Sequence, residues 1–164
     1  MTGDEITTTL AELIATCKRS EADFTRAASC AQQQDRKNLL VRYASQRAKL
    51  AGELGQALRR LGGNAEFVGQ PAPANDQTDN ENEFIVQCRQ DEDAAKEQFE
   101  EALREDLPLN IRMLVQRQYS EIKSAREQLA HWEGDGGKID PSKTTSTAAW
   151  RSLPPTVRRF SQNR

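Results

Sequence analysis

The chain has 164 residues, of which 29% are charged and 5% are aromatic, and its formal net charge is −2. This length suits one domain with a single core, and so small a net charge argues against a nucleic-acid partner. No apolar run approaches the roughly 20 residues that a membrane helix needs, and the first residues do not resemble a secretory signal. We therefore expect a cytoplasmic protein that does not bind membranes.

The first predicted helix covers about residues 8–33. Apolar side chains recur there at three- and four-residue spacing, as in a helix that packs against others. Thr9 and Glu12 have the spacing of a capping box, which would place the first turn at this point. Glu21 falls within the apolar stripe, so we expect a carboxylate that faces the core.

The second predicted helix covers about residues 36–61 and ends at Gly62-Gly63. The following stretch, to about residue 82, is rich in Gly, Pro, Asn, Asp and Gln and predicts a loop. A helix of about 25 residues is roughly 38 Å long, whereas about 20 extended residues reach roughly 66 Å. The loop can therefore cross the full length of a bundle, as in folds that join two helical hairpins by a long crossover.

Two further helices are predicted over about residues 83–104 and 108–132, the second of them starting at Pro108. Their patterns repeat those of the first two helices. The sequence therefore predicts an all-α fold, a four-helix bundle over residues 1–133 that consists of two repeated helical hairpins joined by a long crossover loop.

Polar residues interrupt the apolar stripes at matching places in the two halves. Glu92 lies 71 positions after Glu21 (92 − 21), and Gln118 lies 72 positions after Gln46 (118 − 46). On helices, all four side chains would face the core at one depth. Because the amide groups can donate hydrogen bonds to the carboxylates, we expect a closed layer of Glu and Gln side chains that fixes the helix register without a metal.

Several short segments have a recognisable order and spacing, namely residues 13–17 (LIATC), 45–49 (SQRAK), 60–63 (RLGG) and 100–103 (EEAL), the last followed by Leu107-Pro108. On these segments the chain resembles the ferritin-like superfamily, and more closely a bacterial ferritin-like four-helix-bundle family of unknown function. The resemblance covers about residues 8–132 and implies a ferritin-like fold. Metal-loaded bundles of this kind take a Glu from each of two helices and a Glu-x-x-His motif from each of the other two.

The resemblance assigns Glu21 and Glu92 to the two lone glutamates of such a site. In both paired motifs glutamine replaces the glutamate, and Lys49 and Glu121 stand where the histidines would be. Neutral amide oxygens are poor iron ligands, so we expect a degenerate metal site and no cofactor. If a divalent metal does bind, the candidate ligands are Glu21, Gln46, Glu53, Glu92 and Gln118. A carboxylate trio that includes Glu53 would suit Mg²⁺ or Mn²⁺, whereas the alternative is that Glu53 pairs with a neighbouring arginine.

The composition changes in residues 134–164. Six Lys and Arg residues face two Asp residues there, a net charge of +4 (6 − 2), and Trp150 and Phe160 lie among them. This basic C-terminal tail either packs on the bundle or stays flexible. Its charge and its aromatic side chains would suit docking to an acidic or apolar protein surface.

The sequence contains no Gly-rich phosphate loop, nucleophile elbow or metal-protease motif. We therefore interpret the chain as a non-catalytic bundle with a structural or protein-interaction role. It would act as a homo-oligomer or with a protein partner, which the tail could contact. The alternative is a metal-binding protein, with di-iron or a Mn/Mg carboxylate site, that has a redox or metal-handling role.

Overall fold

A computed structural model describes residues 1–65 and 80–134. Helix α1 covers Gly3–Cys30, α2 covers Gln34–Arg60, α3 covers Glu81–Arg104 and α4 covers Leu109–Gly134. No strand occurs in these two ranges, so the predictions of four helices and of an all-α fold are confirmed for them. Within the same ranges, no helix is both long enough and apolar enough to span a membrane.

Helix α1 begins earlier than the sequence predicted. Thr2 is its N-cap: the Thr2 hydroxyl accepts from the backbone N–H of Glu5 at 3.3 Å, and the Glu5 carboxylate accepts from the backbone N–H of Thr2 at 2.6 Å. These two bonds form a capping box. The predicted capping box of Thr9 and Glu12 is therefore wrong. Thr9 lies inside the helix, where its hydroxyl donates to Glu105 at 2.8 Å.

Helix α2 ends at the predicted glycine pair. Gly62 has a φ of +83°, in the left-handed region that favours glycine. The backbone N–H groups of Gly62 and Gly63 donate to the carbonyls of Arg59 and Leu58, each at 3.0 Å. These bonds satisfy carbonyl groups that the last turn of a helix otherwise leaves without partners.

Helices α1 and α3 run antiparallel. Thr9, in the first half of α1, contacts Glu105 just after α3, and the backbone N–H of Gln32, just after α1, donates to Glu81 at the start of α3. Helices α3 and α4 are also antiparallel, because Arg89 pairs with Glu133 at the end of α4.

Helices α2 and α3, in contrast, run parallel. Arg36 and Arg47 of α2 form ion pairs with Glu81 and Glu92 of α3, and both pairs of positions are 11 residues apart (47 − 36 and 92 − 81). The starts of α2 and α3 therefore lie at the same end of the bundle. The connection between them begins at one end of the bundle and finishes at the other.

The buried apolar side chains form two clusters along the bundle. One includes Leu10, Leu54 and Phe99, and the other includes Phe24 and Leu129. Both clusters draw on all four helices, which is the pattern of a core shared by a single bundle. A buried polar layer lies where they meet.

Candidate functional site

The buried polar layer is centred on an ion pair between α2 and α3. Arg47 is 0% exposed and Glu92 is 1% exposed. The Nε and Nη2 atoms of Arg47 donate to the Oε1 and Oε2 atoms of Glu92 at 3.2 and 2.6 Å, which is the bidentate geometry that arginine forms with carboxylates. The third nitrogen, Nη1, donates to Oε1 of Gln46 at 2.8 Å, and the guanidinium carbon lies 5.6 Å from the centre of the Phe24 ring. Each part of the guanidinium thus has a partner.

This arrangement replaces the predicted layer of two glutamates and two glutamines. Glu92 and Gln118 are buried as expected, but Glu21 and Gln46 are only half-buried. Both oxygens of Glu92 accept from Arg47. The predicted ring of hydrogen bonds among the four side chains is therefore wrong, since its centre is an arginine that the sequence did not indicate.

The prediction fails because of a shift on α2, where the buried positions follow the predicted inward positions by one residue. The offset of 72 placed Gln46 inward, whereas the structure buries Arg47. Buried residues of α2 lie 71 positions before buried residues of α4, as for Leu40, Ala44, Arg47, Leu54 and Leu58 against Ile111, Val115, Gln118, Ala125 and Leu129. The same offset relates Glu21 to Glu92, so using a single offset for both pairs of helices would have indicated Arg47.

On α1, a cysteine lies beside the ion pair. Burial raises the pKa of the Cys17 thiol to about 12, with Arg47 acting to lower it and Glu92 acting to raise it. A thiol with such a pKa stays protonated at neutral pH and is a poor nucleophile or metal ligand. Cys17 therefore behaves as a small core residue.

Gln118 makes a second set of polar contacts, between α4 and α2. Its Nε2 donates to the carbonyl of Leu50 at 3.3 Å and to Oε2 of Glu53 at 3.0 Å, and Nη2 of Arg117 donates to the same Glu53 oxygen at 2.5 Å. Although burial acts to raise it, the bonds from Gln118 and Arg117 lower the pKa of Glu53. Glu53 thus pairs with an arginine, which is one of the two alternatives that the sequence left open.

A buried acid that the sequence did not single out lies nearby, between α1 and α3. Asp23 is 5% exposed; it forms an ion pair with Arg26 and a side-chain hydrogen bond with Asp91. Burial, together with the hydrogen bond and the negative charge of Asp91, raises the pKa of Asp23 to about 7 against the opposing effect of Arg26. Near neutral pH, a substantial fraction of the Asp23 carboxyl groups is therefore protonated and can donate a hydrogen bond to Asp91 across the helix interface.

Another ion pair lies at the end of the bundle where α2 and α3 begin. Nη1 of Arg36 donates to Oε1 of Glu81 at 2.9 Å, and the guanidinium carbon of Arg36 lies 4.8 Å from the centre of the Trp132 ring. The ring and the carboxylate both favour the positive charge. Arg36 is buried like Arg47, so two arginines of α2 reach across to α3.

The candidate metal ligands are separated or already have partners. Glu92 accepts from Arg47, Glu53 accepts from Arg117 and Gln118, and Glu21 is half-buried outside these contacts. In residues 1–65 and 80–134, no three His, Cys, Asp or Glu side chains form a group that could hold a metal ion. The predicted basic tail, with Trp150 and Phe160, lies outside the described residues.

Comparisons with known proteins do not supply a function. No family model matches the chain, and no curated protein matches it. The function must therefore be inferred from the residues of the chain itself, above all from the buried layer and from the charges on the helix surfaces.

Proposed function

We propose that this protein is a non-catalytic, ferritin-like four-helix bundle that serves as a structural or protein-interaction module. The bidentate Arg47–Glu92 pair is the observation that carries this proposal. In metal-loaded bundles, inward carboxylates of facing helices hold cations. In this protein a guanidinium provides the positive charge, and it occupies both oxygens of the only fully buried glutamate among the candidate ligands.

A metal ion at Glu92 would have to displace Arg47. Separating a buried ion pair typically costs about 3–5 kcal/mol, because one charge is left without a partner. That cost corresponds to roughly a hundredfold to several-thousandfold loss of metal affinity. The residues at this position therefore favour a protein that needs no metal and no cofactor.

The ion pairs have a structural use instead. Arg36–Glu81 and Arg47–Glu92 join α2 to α3 at two depths in the same register. Sliding α3 along α2 by even one turn would break both pairs and leave three buried charges, those of Arg36, Arg47 and Glu92, without partners, which is strongly unfavourable. The pairs thus fix one register between α2 and α3, which do not form a hairpin with each other.

Metal analysis tests the proposal. The full chain would be purified, incubated with Fe²⁺ or Mn²⁺, passed through a desalting column and measured by inductively coupled plasma mass spectrometry. We expect substoichiometric metal in the wild type and no difference between the wild type and Glu92→Gln. Stoichiometric metal in the wild type would overturn the proposal and favour a metal-handling protein, and its loss in a Glu92→Gln variant that is still folded by circular dichroism would assign the metal to Glu92. Ser45→Ala, an exposed change on α2, is the matched control.

A further inference from the structure

Helices α2 and α3 have opposite charges. Gln34–Arg60 contains seven Lys and Arg residues and two Asp and Glu residues, a net charge of +5 (7 − 2). Glu81–Arg104 contains three Lys and Arg residues and eight Asp and Glu residues, a net charge of −5 (3 − 8). The small net charge of the whole chain therefore conceals a strong separation of charge within the bundle.

Much of this charge is on the surface and is not used within the described chain. The exposed basic residues of α2, here called the basic face, are Lys37, Arg42, Lys49, Arg59 and Arg60. The exposed acidic residues of α3, here called the acidic face, are Glu83, Glu97 and Glu101. In residues 1–65 and 80–134, no ion pair includes any of these eight side chains.

The two faces lie on opposite sides of the molecule. Helix α1 packs against both α2 and α3, and α4 packs against α3 and, less extensively, against α2. Helices α2 and α3 are therefore at diagonal corners and touch through side chains that cross the core, such as Arg47 and Glu92. Their exposed faces point away from each other and cannot neutralise one another within one molecule.

We propose that the basic face of α2 binds the acidic face of α3 on a second copy of this chain. The contact rests on the proposed function as an interaction module, and the charge complementarity of the two faces carries it. Because the faces are on opposite sides, the contact is head-to-tail. Each pair of molecules therefore still has one free basic face and one free acidic face. The net charge of −2 adds little repulsion between copies.

The chemistry of the faces also sets the strength of this association. Exposed ion pairs each contribute little, because water and salt screen them. The assembly is therefore weak and concentration-dependent, and it is lost when the screening length falls from about 30 Å at 0.01 M salt to about 3 Å at 1 M salt. A nucleic acid is the less favoured partner of the basic face, because the chain has a net charge of −2 and gives phosphates no long-range attraction.

Sedimentation velocity on the full chain tests the proposal at about 0.01 M and about 1 M salt. We expect a sedimentation coefficient that rises with protein concentration at low salt and stays constant at high salt. Reversing charges on one face, by Arg42→Glu with Lys49→Glu or by Glu97→Lys with Glu101→Lys, should abolish the rise. All four side chains are exposed, so both variants should keep the wild-type melting temperature.

Mixing the two variants is the decisive measurement. The basic-face variant keeps a wild-type acidic face, and the acidic-face variant keeps a wild-type basic face. An equimolar mixture should therefore associate although neither variant does so alone. The control is Arg19→Glu with Lys123→Glu, which changes the net charge as much as the basic-face variant but at exposed positions on α1 and α4. This control should keep most of the wild-type association.

Three results would overturn the inference: a wild-type chain that stays monomeric at low salt, association that neither face variant weakens, or a mixture that stays monomeric. Binding of a DNA or RNA duplex that is lost in the basic-face variant, with a monomeric wild type, would assign this face to nucleic acid instead. None of these outcomes changes the metal content of the protein, so failure of this inference is distinguishable from failure of the proposed function.

Discussion

Arg47 and Glu92 lie at diagonal corners of the bundle, and their 2.6 Å contact joins them directly through the core. The contact lies where the two apolar clusters meet, so neither charge has access to water. A buried pair of this kind depends on both partners, because either charge alone would be left in a medium of low polarity. These two side chains therefore contribute both to the stability of the bundle and to the arrangement of its helices.

Removing one partner should destabilise the protein strongly. We expect Arg47→Ala to lower the free energy of unfolding by about 3–5 kcal/mol, since Glu92 would remain buried without a counter-charge. Urea unfolding followed by circular dichroism measures this change. The exposed neighbour Lys49→Ala should change the free energy by less than about 0.5 kcal/mol.

Replacing both partners should restore most of the stability. Arg47→Met with Glu92→Leu removes both buried charges and keeps apolar bulk, which is often neutral or stabilising. A double variant as unstable as Arg47→Ala would contradict this expectation, because it would show that the ion pair stabilises the core more than apolar side chains of similar size do. The double variant with wild-type stability but altered hydrodynamic size would indicate that the pair fixes the topology.

The raised pKa of Asp23 predicts an unusual dependence of stability on pH. The pKa of Asp23 is raised from 3.8 to about 7, so the folded protein holds a proton that the unfolded chain releases at lower pH. The contribution of this proton to the free energy of unfolding is complete below about pH 4 and is lost as the pH rises through about 7. In this window the free energy of unfolding should fall by up to about 1.4 kcal/mol per pH unit relative to a variant without this proton.

Asp23→Asn is that variant, because the amide can still donate a hydrogen bond to Asp91 but does not titrate. Urea midpoints measured between pH 4 and pH 8 should fall for the wild type relative to Asp23→Asn. Asp35→Asn, an exposed change at the start of α2, should follow the wild-type profile. Parallel profiles for the wild type and Asp23→Asn would contradict the raised pKa of Asp23.

The sequence could predict the helices and part of the layer, and the reason is physical. Apolar residues at helical spacing identify the buried face of a helix, which is why Glu92 and Gln118 were placed correctly. Arg47 was missed because the offset of 72 put Gln46 on the inward face of α2 in its place, and because the carboxylate that a buried arginine requires lies on another helix and leaves no local pattern. Asp23 was missed for the same reason, since its partner Asp91 lies on α3.

Gln46 and Gln118 provide a direct test, because the sequence predicts that both are buried whereas the structure buries only Gln118. Gln118 is fully buried and donates to Leu50 and Glu53, whereas Gln46 is half-buried and accepts one bond from Arg47. We expect Gln118→Ala to lower the free energy of unfolding by about 1–3 kcal/mol, since it leaves a buried carbonyl with one donor fewer. Gln46→Ala should lower it by less, because water can replace the half-buried Gln46 side chain as the acceptor for Nη1 of Arg47. Equal losses in urea unfolding would contradict the one-residue rotation of α2 and would favour the face that the sequence predicted.

The start of α1 offers a test of the same kind, because the sequence predicts the N-cap at Thr9 whereas the structure has it at Thr2. Thr2 and Glu5 exchange two hydrogen bonds at the first turn, so Thr2→Ala should lower the free energy of unfolding by about 1 kcal/mol. Glu12 is exposed on the middle of the helix, and Glu12→Ala should have little effect. Amide hydrogen exchange locates the change, since the backbone N–H of Glu5 should exchange faster in Thr2→Ala and at the wild-type rate in Glu12→Ala. Faster exchange of the Thr9 backbone N–H in Glu12→Ala, with no change at Glu5 in Thr2→Ala, would place the cap at Thr9 instead.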